Sequence, residues 1–488
     1  MSSTIGSGNG GRVIVSTPSL TIDGGQIFAD ALLGAGSAGD VVLKDIGTLT
    51  LTNGAQVTSE AFPESTGNAG NVTLEVGTVV VTGGSFLSTT TSGLGKGGTL
   101  IIKAREAVSI AGPAAGSDTG TTIVSAATLG SGAGGEVVIT APVLRMDGGI
   151  ITALTGVPEN GPPATGAAGN VLVEVDRLSL AGGALIDSRT TSEGRGGSVQ
   201  VTMRESAVLT GNSGLTAVSR GRGAGGNVEI RAHTLTLSNG AILSAESTGT
   251  GNAGNITITT QDSFVSTQGR IITRATQTDG GNIHITAPTL VRLRDSAITA
   301  EVGGGATTVG GNITIDPQYV LLQNSQIVAN AFEGKGGNIS IQAQQAFLAD
   351  PTSTVSASSA LGISGQVNIQ APVTSLSGAV APLQQAFAPT TELLRSRCVE
   401  RLREGAVSRF VLGGRDGVPL EPGSLLLSPL ARVDQEAVVT RGEHERQPPT
   451  AQHGWVTSAQ AHAREAWEVE CARGVGKPGT PGTSKRSR

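Results

Sequence analysis

Aliphatic and polar residues alternate with a period of two at thirteen places along this 488-residue chain, each time directly after a glycine. The phrases TGNAGNVTLEV (66–76) and TGNAGNITITT (250–260) show the pattern, with aliphatic residues two and four positions after the glycine. A period of two is typical of a strand with one buried face. The thirteen glycines, which we call the anchor glycines, are Gly11, Gly39, Gly70, Gly98, Gly135, Gly169, Gly197, Gly226, Gly254, Gly281, Gly311, Gly337 and Gly365.

Each repeat contains a second and a third strand-like segment. The second is illustrated by TLTLTNG (48–54) and the third, after a turn, by AQVTSE (55–60). Glycine and asparagine pairs such as Gly148-Gly149, Gly182-Gly183 and Asn239-Gly240 separate the two segments, and these residue types suit left-handed backbone positions at corners.

The repeats predict a stack of coils. Their period of about 30 residues lies in the range of solenoids, and three short strands with one apolar face cannot close a core alone. We therefore predict an all-β fold, a right-handed parallel β-helix of about 13 rungs over residues 1–371, in which each aliphatic residue meets its counterpart in the next rung.

Asparagine follows the anchor glycine in seven rungs. We predict a structural ladder of stacked amides along the axis or, alternatively, left-handed turn residues, and a metal or sugar site is the functional alternative. The residues are Asn71, Asn170, Asn227, Asn255, Asn282, Asn312 and Asn338.

The amino-acid composition excludes some classes of function. The chain has 73 Gly, but only 8 Phe, 2 Trp and 1 Tyr, and its net charge is -5. A negative charge and few stacking platforms argue against nucleic-acid binding. No apolar run is long enough for a transmembrane helix, and the start MSSTIGSGNGG lacks the features of a signal peptide. We expect no cofactor.

The repeat fades after Ala371. We predict a cap over residues 372–430, with an amphipathic helix at 391–404 and a strand and turn segment after it, followed by a polar, low-complexity tail over 431–488. The two cysteines, Cys398 and Cys471, are too few for a disulfide framework. They would pair in an oxidising exterior, or Cys398 is a small buried residue of the cap.

Rungs of the GNAGNITI type, followed by a cysteine-containing helix and the segment SRFVLGGRDGVPLEPGSLL (408–426), resemble the C-terminal part of filamentous-haemagglutinin-like exoproteins of two-partner secretion systems. The resemblance covers about residues 1–430. It implies a right-handed β-helix, export through an outer-membrane β-barrel transporter, and an adhesive or surface-layer-like role outside the cell. Members of that family begin with a signal peptide and a secretion domain, so we expect this chain to be the distal part of a longer or split gene.

Enzymatic chemistry has weaker support. Polysaccharide hydrolases need paired carboxylates, and lyases need clustered acids with a base. Asp147, Asp187, Asp295 and Asp316 fall at different points of their rungs, and His444, His453 and His462 have no ligand framework of metal spacing. We therefore predict a non-enzymatic structural or adhesive protein that binds a glycan or protein surface. A β-helical polysaccharide-binding or polysaccharide-degrading protein, and a fragment that is not exported, are the alternatives.

Overall fold

The computed structural model describes residues 1–112, 120–156, 165–191 and 193–376, and these residues form strands and turns without a helix. All of them lie in one compact unit, Met1–Thr390. The predicted helix at 391–404, the tail at 431–488 and nearly all of the predicted cap at 372–430 lie outside the described residues. The same holds for Cys398, Cys471 and the three tail histidines.

The strands, in chain order, are β1 Ser2–Ile5, β2 Val13–Ser16, β3 Ser19–Asp23, β4 Gln26–Leu33, β5 Val41–Thr52, β6 Gln56–Thr58, β7 Val72–Val81, β8 Phe86–Ser88, β9 Thr99–Ala111, β10 Ile123–Ser125, β11 Glu136–Asp147, β12 Ile150–Thr152, β13 Val171–Ala181, β14 Leu185–Asp187, β15 Val199–Met203, β16 Ser206–Leu209, β17 Gly214–Thr216, β18 Val228–Ser238, β19 Ile242–Ser244, β20 Ile256–Thr267, β21 Arg270–Ile272, β22 Ile283–Thr286, β23 Leu290–Arg294, β24 Ala297–Thr299, β25 Ile313–Ile315, β26 Tyr319–Gln323, β27 Gln326–Val328, β28 Ile339–Gln342, β29 Ala346–Ala349, β30 Thr354–Ser356, β31 Val367–Gln370 and β32 Val373–Leu376.

The strands coil into a parallel β-solenoid of about 12 turns, which confirms the predicted fold class. Its right-handed sense stays a prediction. Each internal rung pairs with the rungs on both sides in register, so that Val199 lies between Val171 and Val228. The third strands of the rungs form one 13-stranded sheet, which we call the third sheet; it consists of β1, β4, β6, β8, β10, β12, β14, β17, β19, β21, β24, β27 and β30.

The first and second strands differ from the sequence prediction. In seven rungs they form one continuous strand of 10–13 residues instead of two. The strand bends where the pairing register shifts, for example between Lys44 and Ile46 in β5, where Asp45 has a φ of 58°. An irregularity of one residue is enough to bend the strand at this corner. The hydrogen bonds to the neighbouring rungs therefore continue before and after the bend.

The aliphatic residues after the anchor glycines form the core. Of the thirteen residues that stand two positions after an anchor glycine, eleven are at most 1% exposed. The exceptions are Val13 and Val367 in the terminal rungs, where Val367 is 39% exposed. The inward residues of all three faces join in one cluster that runs from Ile22 to Ala357.

Two columns of glycine allow the rungs to approach closely. At every anchor glycine from Gly39 to Gly365, a Cβ atom would lie 1.5–2.1 Å from the carbonyl oxygen of the anchor glycine in the preceding rung. A second column stands three residues earlier, and there the corresponding distance is 1.7–2.2 Å; its members are Gly36, Gly67, Gly95, Gly132, Gly166, Gly194, Gly223 and Gly251. No side chain fits at either column without displacing the adjacent backbone.

The corner between the second and third strands uses left-handed backbone, as predicted. Gly148 and Gly149 have φ of 77° and 76°, and Asn239 and Gly240 have φ of 52° and 85°. Side chains link some of these corners along the axis, since Asn324 Nδ2 donates to Asp295 Oδ1 at 2.8 Å. The third strand therefore starts at the same place in each rung.

Candidate functional site

The seven asparagines after the anchor glycines form an exposed column along the solenoid. The Oδ1 atom of each accepts a hydrogen bond, at 2.9–3.1 Å, from the backbone N–H of the equivalent residue in the next rung. None of the seven has a positive φ. The column thus satisfies backbone donors between rungs, which is a structural role.

Asp40 takes the same position one rung before Asn71. Its Oδ1 accepts the Asn71 backbone N–H at 2.9 Å and the Asn71 Nδ2 at 3.1 Å. Asp40 was not among the predicted ladder residues because it is not an asparagine, although its place directly after Gly39 identifies it.

A groove lies on the outer face of the third sheet. It encloses about 290 Å³ above strands β6, β8 and β10 and is lined by Gln56, Thr58, Glu60, Phe86, Ser88, Thr90, Ile123 and Ser125. We call it the third-sheet groove. It crosses successive rungs, so its length follows the solenoid axis.

Small hydroxyl side chains form the floor of this groove. Thr58, Ser88 and Ser125 alternate with the fully buried core residues of their strands and therefore point outward. They are nevertheless only 6–8% exposed. Larger side chains on both sides shield them, among them the partly exposed Phe86 and Ile123.

The hydroxyl column continues beyond the groove into β12. Thr152 is 7% exposed, and its Oγ1 has no hydrogen-bond partner among the residues that the structure describes. Thr152 pairs with Ser125 on one side and with Asp187 on the other. A χ1 rotation of about 120° would place the hydroxyl where the methyl group lies and the methyl group where the Cβ hydrogen lies, so the hydroxyl can turn toward a ligand.

Two carboxyl groups lie at one end of the groove. Asp30 is 8% exposed, and its Oδ1 accepts the backbone N–H of Glu60 at 3.0 Å. Burial raises the pKa of Asp30 to about 6, although that hydrogen bond opposes the shift. Burial and the neighbouring Asp30 carboxylate raise the pKa of Glu60, while a hydrogen bond from Ser88 lowers it. Such a pair can retain a proton in mildly acidic solution and can donate or accept hydrogen bonds.

Asp30 and Glu60 were missed in the sequence because they are 30 residues apart. The signal is their equivalent position, one residue before Ala31 and Ala61, which pair in adjacent rungs. Aligning the third strands by register, as well as the first, would have brought them together.

Asp187 takes the equivalent position in the rung after Thr152 and is 1% exposed. Arg189 Nη2 is 2.9 Å from its Oδ2, and Thr216 Oγ1 donates to its Oδ1 at 2.5 Å. Burial raises the pKa of Asp187, against the opposing charge of Arg189. The arrangement is an ion pair between a buried carboxylate and a partly exposed guanidinium, and it interrupts the column, which resumes with Thr216 and Ser244.

The other sequence candidates are not brought together. Asp147 is exposed at the end of β11, Asp295 occupies a left-handed corner, and Asp316 follows β25. No two of the four aspartates share a rung. Within the described residues, no group of three or more acidic, histidine or cysteine side chains is placed to hold a metal ion.

No helix in the described part of the chain has the length and hydropathy needed to cross a membrane. No protein-family description, curated protein or solved structure matches the chain.

Proposed function

We propose that the chain is a non-enzymatic structural or adhesive protein whose solenoid displays repeated polar columns to a glycan or protein surface. The observation that supports this most directly is the in-register stacking, because it places each outward side chain above its equivalent in the next rung. A repeated surface binds by avidity, in which many weak contacts act together.

The proposed location is the bacterial cell surface or the exterior. It rests on the resemblance of the rungs and of the segment SRFVLGGRDGVPLEPGSLL to filamentous-haemagglutinin-like exoproteins. The proposed export partner is the outer-membrane β-barrel transporter of a two-partner system. Probing intact cells with an antibody against the solenoid tests this location, and a signal found only after lysis would contradict it.

A binding experiment tests the adhesive role. Full-length protein displayed densely on beads should retain cells or glycan-coated surfaces far better than the same protein added as single molecules, because avidity needs many simultaneous contacts. Equal retention in the two formats, or no retention in either, would contradict the proposal.

The second candidate, a polysaccharide-degrading enzyme, is favoured by one observation, the buried Asp30 and Glu60 pair at the end of the groove. Glycoside hydrolysis uses two neighbouring carboxyl groups, of which the general acid has a raised pKa. An assay for new reducing ends and for unsaturated uronate products separates the two candidates. We expect neither product, and release abolished by Asp30→Asn would establish the enzyme.

A further inference from the structure

We infer that the third-sheet groove binds a single extended strand of a neutral polysaccharide along the solenoid axis. This inference deepens the proposed adhesive function and rests on it, since it assigns a ligand class and a place to the binding.

The dimensions of the groove suit a polymer. Parallel strands lie about 4.7–4.9 Å apart, close to the length of one pyranose unit in an extended chain. The groove crosses β6, β8 and β10, and the hydroxyl column continues to β12. Successive sugar units would therefore meet equivalent protein groups in successive rungs.

The floor and the wall offer complementary chemistry. Ser88, Ser125 and Thr152 supply hydroxyl groups in a row, and the Thr152 Oγ1 is buried with no partner among the described residues. Such a group gains a hydrogen bond when a sugar hydroxyl reaches it. Beside this row, the partly exposed rings and methyl groups of Phe86 and Ile123 can cover the apolar face of a pyranose.

Charge selects a neutral polymer over an acidic one. Glu60 is the only ionisable residue among the eight that line the groove, and Asp30 lies next to it. Two cations act on Asp187 farther along the column: Arg189, which pairs with it, and Arg220. A uronate chain would bring carboxylates toward Glu60, and none of the eight residues that line the groove is a cation that could compensate them.

The first test is the binding of the full-length protein to neutral β-linked oligosaccharides, measured by calorimetry, with oligogalacturonate as the acidic comparison. We expect binding of a neutral oligosaccharide and at least tenfold weaker binding of the uronate. Equal or tighter binding of the uronate would overturn the assignment of a neutral ligand.

The second test uses three variants. Phe86→Ala removes the wall, and Ser125→Val removes a floor hydroxyl while keeping a strand-forming residue. Thr236→Val removes an outward hydroxyl from β18, on another face of the solenoid, and is the matched control. We expect about tenfold weaker binding for each groove variant and unchanged binding for the control. Circular dichroism and a melting curve verify that each variant is folded.

The outcomes separate this inference from the proposed function. If the two groove variants bind oligosaccharide as tightly as the parent protein, the groove is not the binding site. The adhesive function still stands in that case if beads that carry the protein retain cells or glycan-coated surfaces. If oligosaccharide binds in the groove but is cleaved, the non-enzymatic assignment fails and the binding site stands. If no oligosaccharide binds to the folded protein, the inference is wrong.

Discussion

The carbonyl oxygen of each anchor glycine occupies the space that a side chain would need in the following rung. At Gly226, a Cβ atom would lie 1.7 Å from the Gly197 oxygen and 2.6 Å from the Gly197 carbonyl carbon. Backbone atoms held on both sides by parallel pairing cannot move aside as a flexible side chain can. The glycine columns are therefore a packing requirement, separate from the left-handed glycines at the corners.

Replacing Gly226 with alanine should lower the free energy of unfolding by about 3 kcal/mol through overpacking. Gly305→Ala is the matched control, because the nearest atom to its Cβ would be Glu333 Oε2 at 3.7 Å. Urea unfolding followed by circular dichroism measures both. Equal urea midpoints for the two variants would show that neighbouring rungs can move apart easily, and that the close approach of their backbones does not matter for stability.

Asp30 makes stability depend on pH in mildly acidic solution. Because its pKa is raised from 3.8 to about 6, the folded protein holds a proton that the unfolded chain releases. The associated stabilisation is fully present below the unfolded pKa and is lost as the pH rises through the folded pKa. We expect the free energy of unfolding to increase as the pH falls from 7 to 4, and Asp30→Asn to remove part of that increase.

Asp30→Asn should also stabilise the protein at pH 8, by about 1–2 kcal/mol, since it removes a buried charge and keeps an oxygen for the Glu60 backbone N–H. Melting curves at pH 4 and pH 8 test both statements. Asp23→Asn in strand β3 serves as the control, because Asp23 is exposed and asparagine keeps the oxygen that accepts the hydrogen bond from Asn53 Nδ2. A variant that loses stability at pH 8 would show that the Asp30 carboxylate is favourable when charged.

At the scale of the element, the strands depend on two kinds of contact between rungs, the buried aliphatic stack and the exposed asparagine column. Ile258 in β20 is fully buried, whereas the neighbouring Thr257 points outward. Ile258→Asp places an unpaired carboxylate in the core and should cost about 3–5 kcal/mol. Thr257→Asp, on the other face of the same strand, should cost far less. Similar melting temperatures for the two variants would refute the inward assignment.

The asparagine column should contribute less per residue. Asn255 Oδ1 accepts the Asn282 N–H at 2.9 Å, so Asn255→Ala should cost about 1 kcal/mol. Asn255→Asp keeps the acceptor oxygen and should lower the free energy of unfolding less than the alanine variant. Asp40 already plays this part in the column, where its Oδ1 accepts the Asn71 N–H. If aspartate proves as destabilising as alanine, the oxygen is not the important group.

The strands themselves were predictable to different degrees. Val41, Val72 and their equivalents could be assigned to the core because a strict period of two needs no knowledge of neighbours. The fusion of first and second strands was not predicted, since the bend at Asp45 depends on hydrogen bonds to other rungs. The second glycine column was visible as a repeated Gly-x-x-Gly spacing, as in Gly67 and Gly70, but its reason required the distance between rungs.

The groove was not predictable from one strand. Ser88 and Ser125 follow the outward alternation that is typical of exposed positions, and their burial comes from side chains that flank them on adjacent rungs. The pairing of Asp30 with Glu60 arises in the same way. The alternation in the sequence indicates the face of the strand on which a side chain lies. Its exposed fraction also depends on the size of the residues in the adjacent rungs, which are about one repeat period away in the sequence.

At the scale of the whole solenoid, each rung contacts only its neighbours, so stability should vary along the axis. Strand β2 pairs with β5 alone among the first strands, whereas β18 is paired on both sides. Val13 and Val15 are also only partly buried. We expect backbone amides of β2 to exchange hydrogen for deuterium faster than those of β18, as mass spectrometry of peptides would show. Equal exchange would indicate that the described solenoid unfolds as one cooperative unit.

The near-equivalence of the rungs has a consequence for how such a gene can change. Each anchor glycine from Gly39 to Gly365 meets another anchor glycine, and most buried aliphatic residues meet another apolar residue, so the surfaces exposed by cutting between two central rungs are similar. Unequal recombination that removes or duplicates the DNA between two anchor glycines would therefore leave the core intact. The number of rungs, and therefore the length of the solenoid, can change by whole repeats while the packing between rungs stays the same.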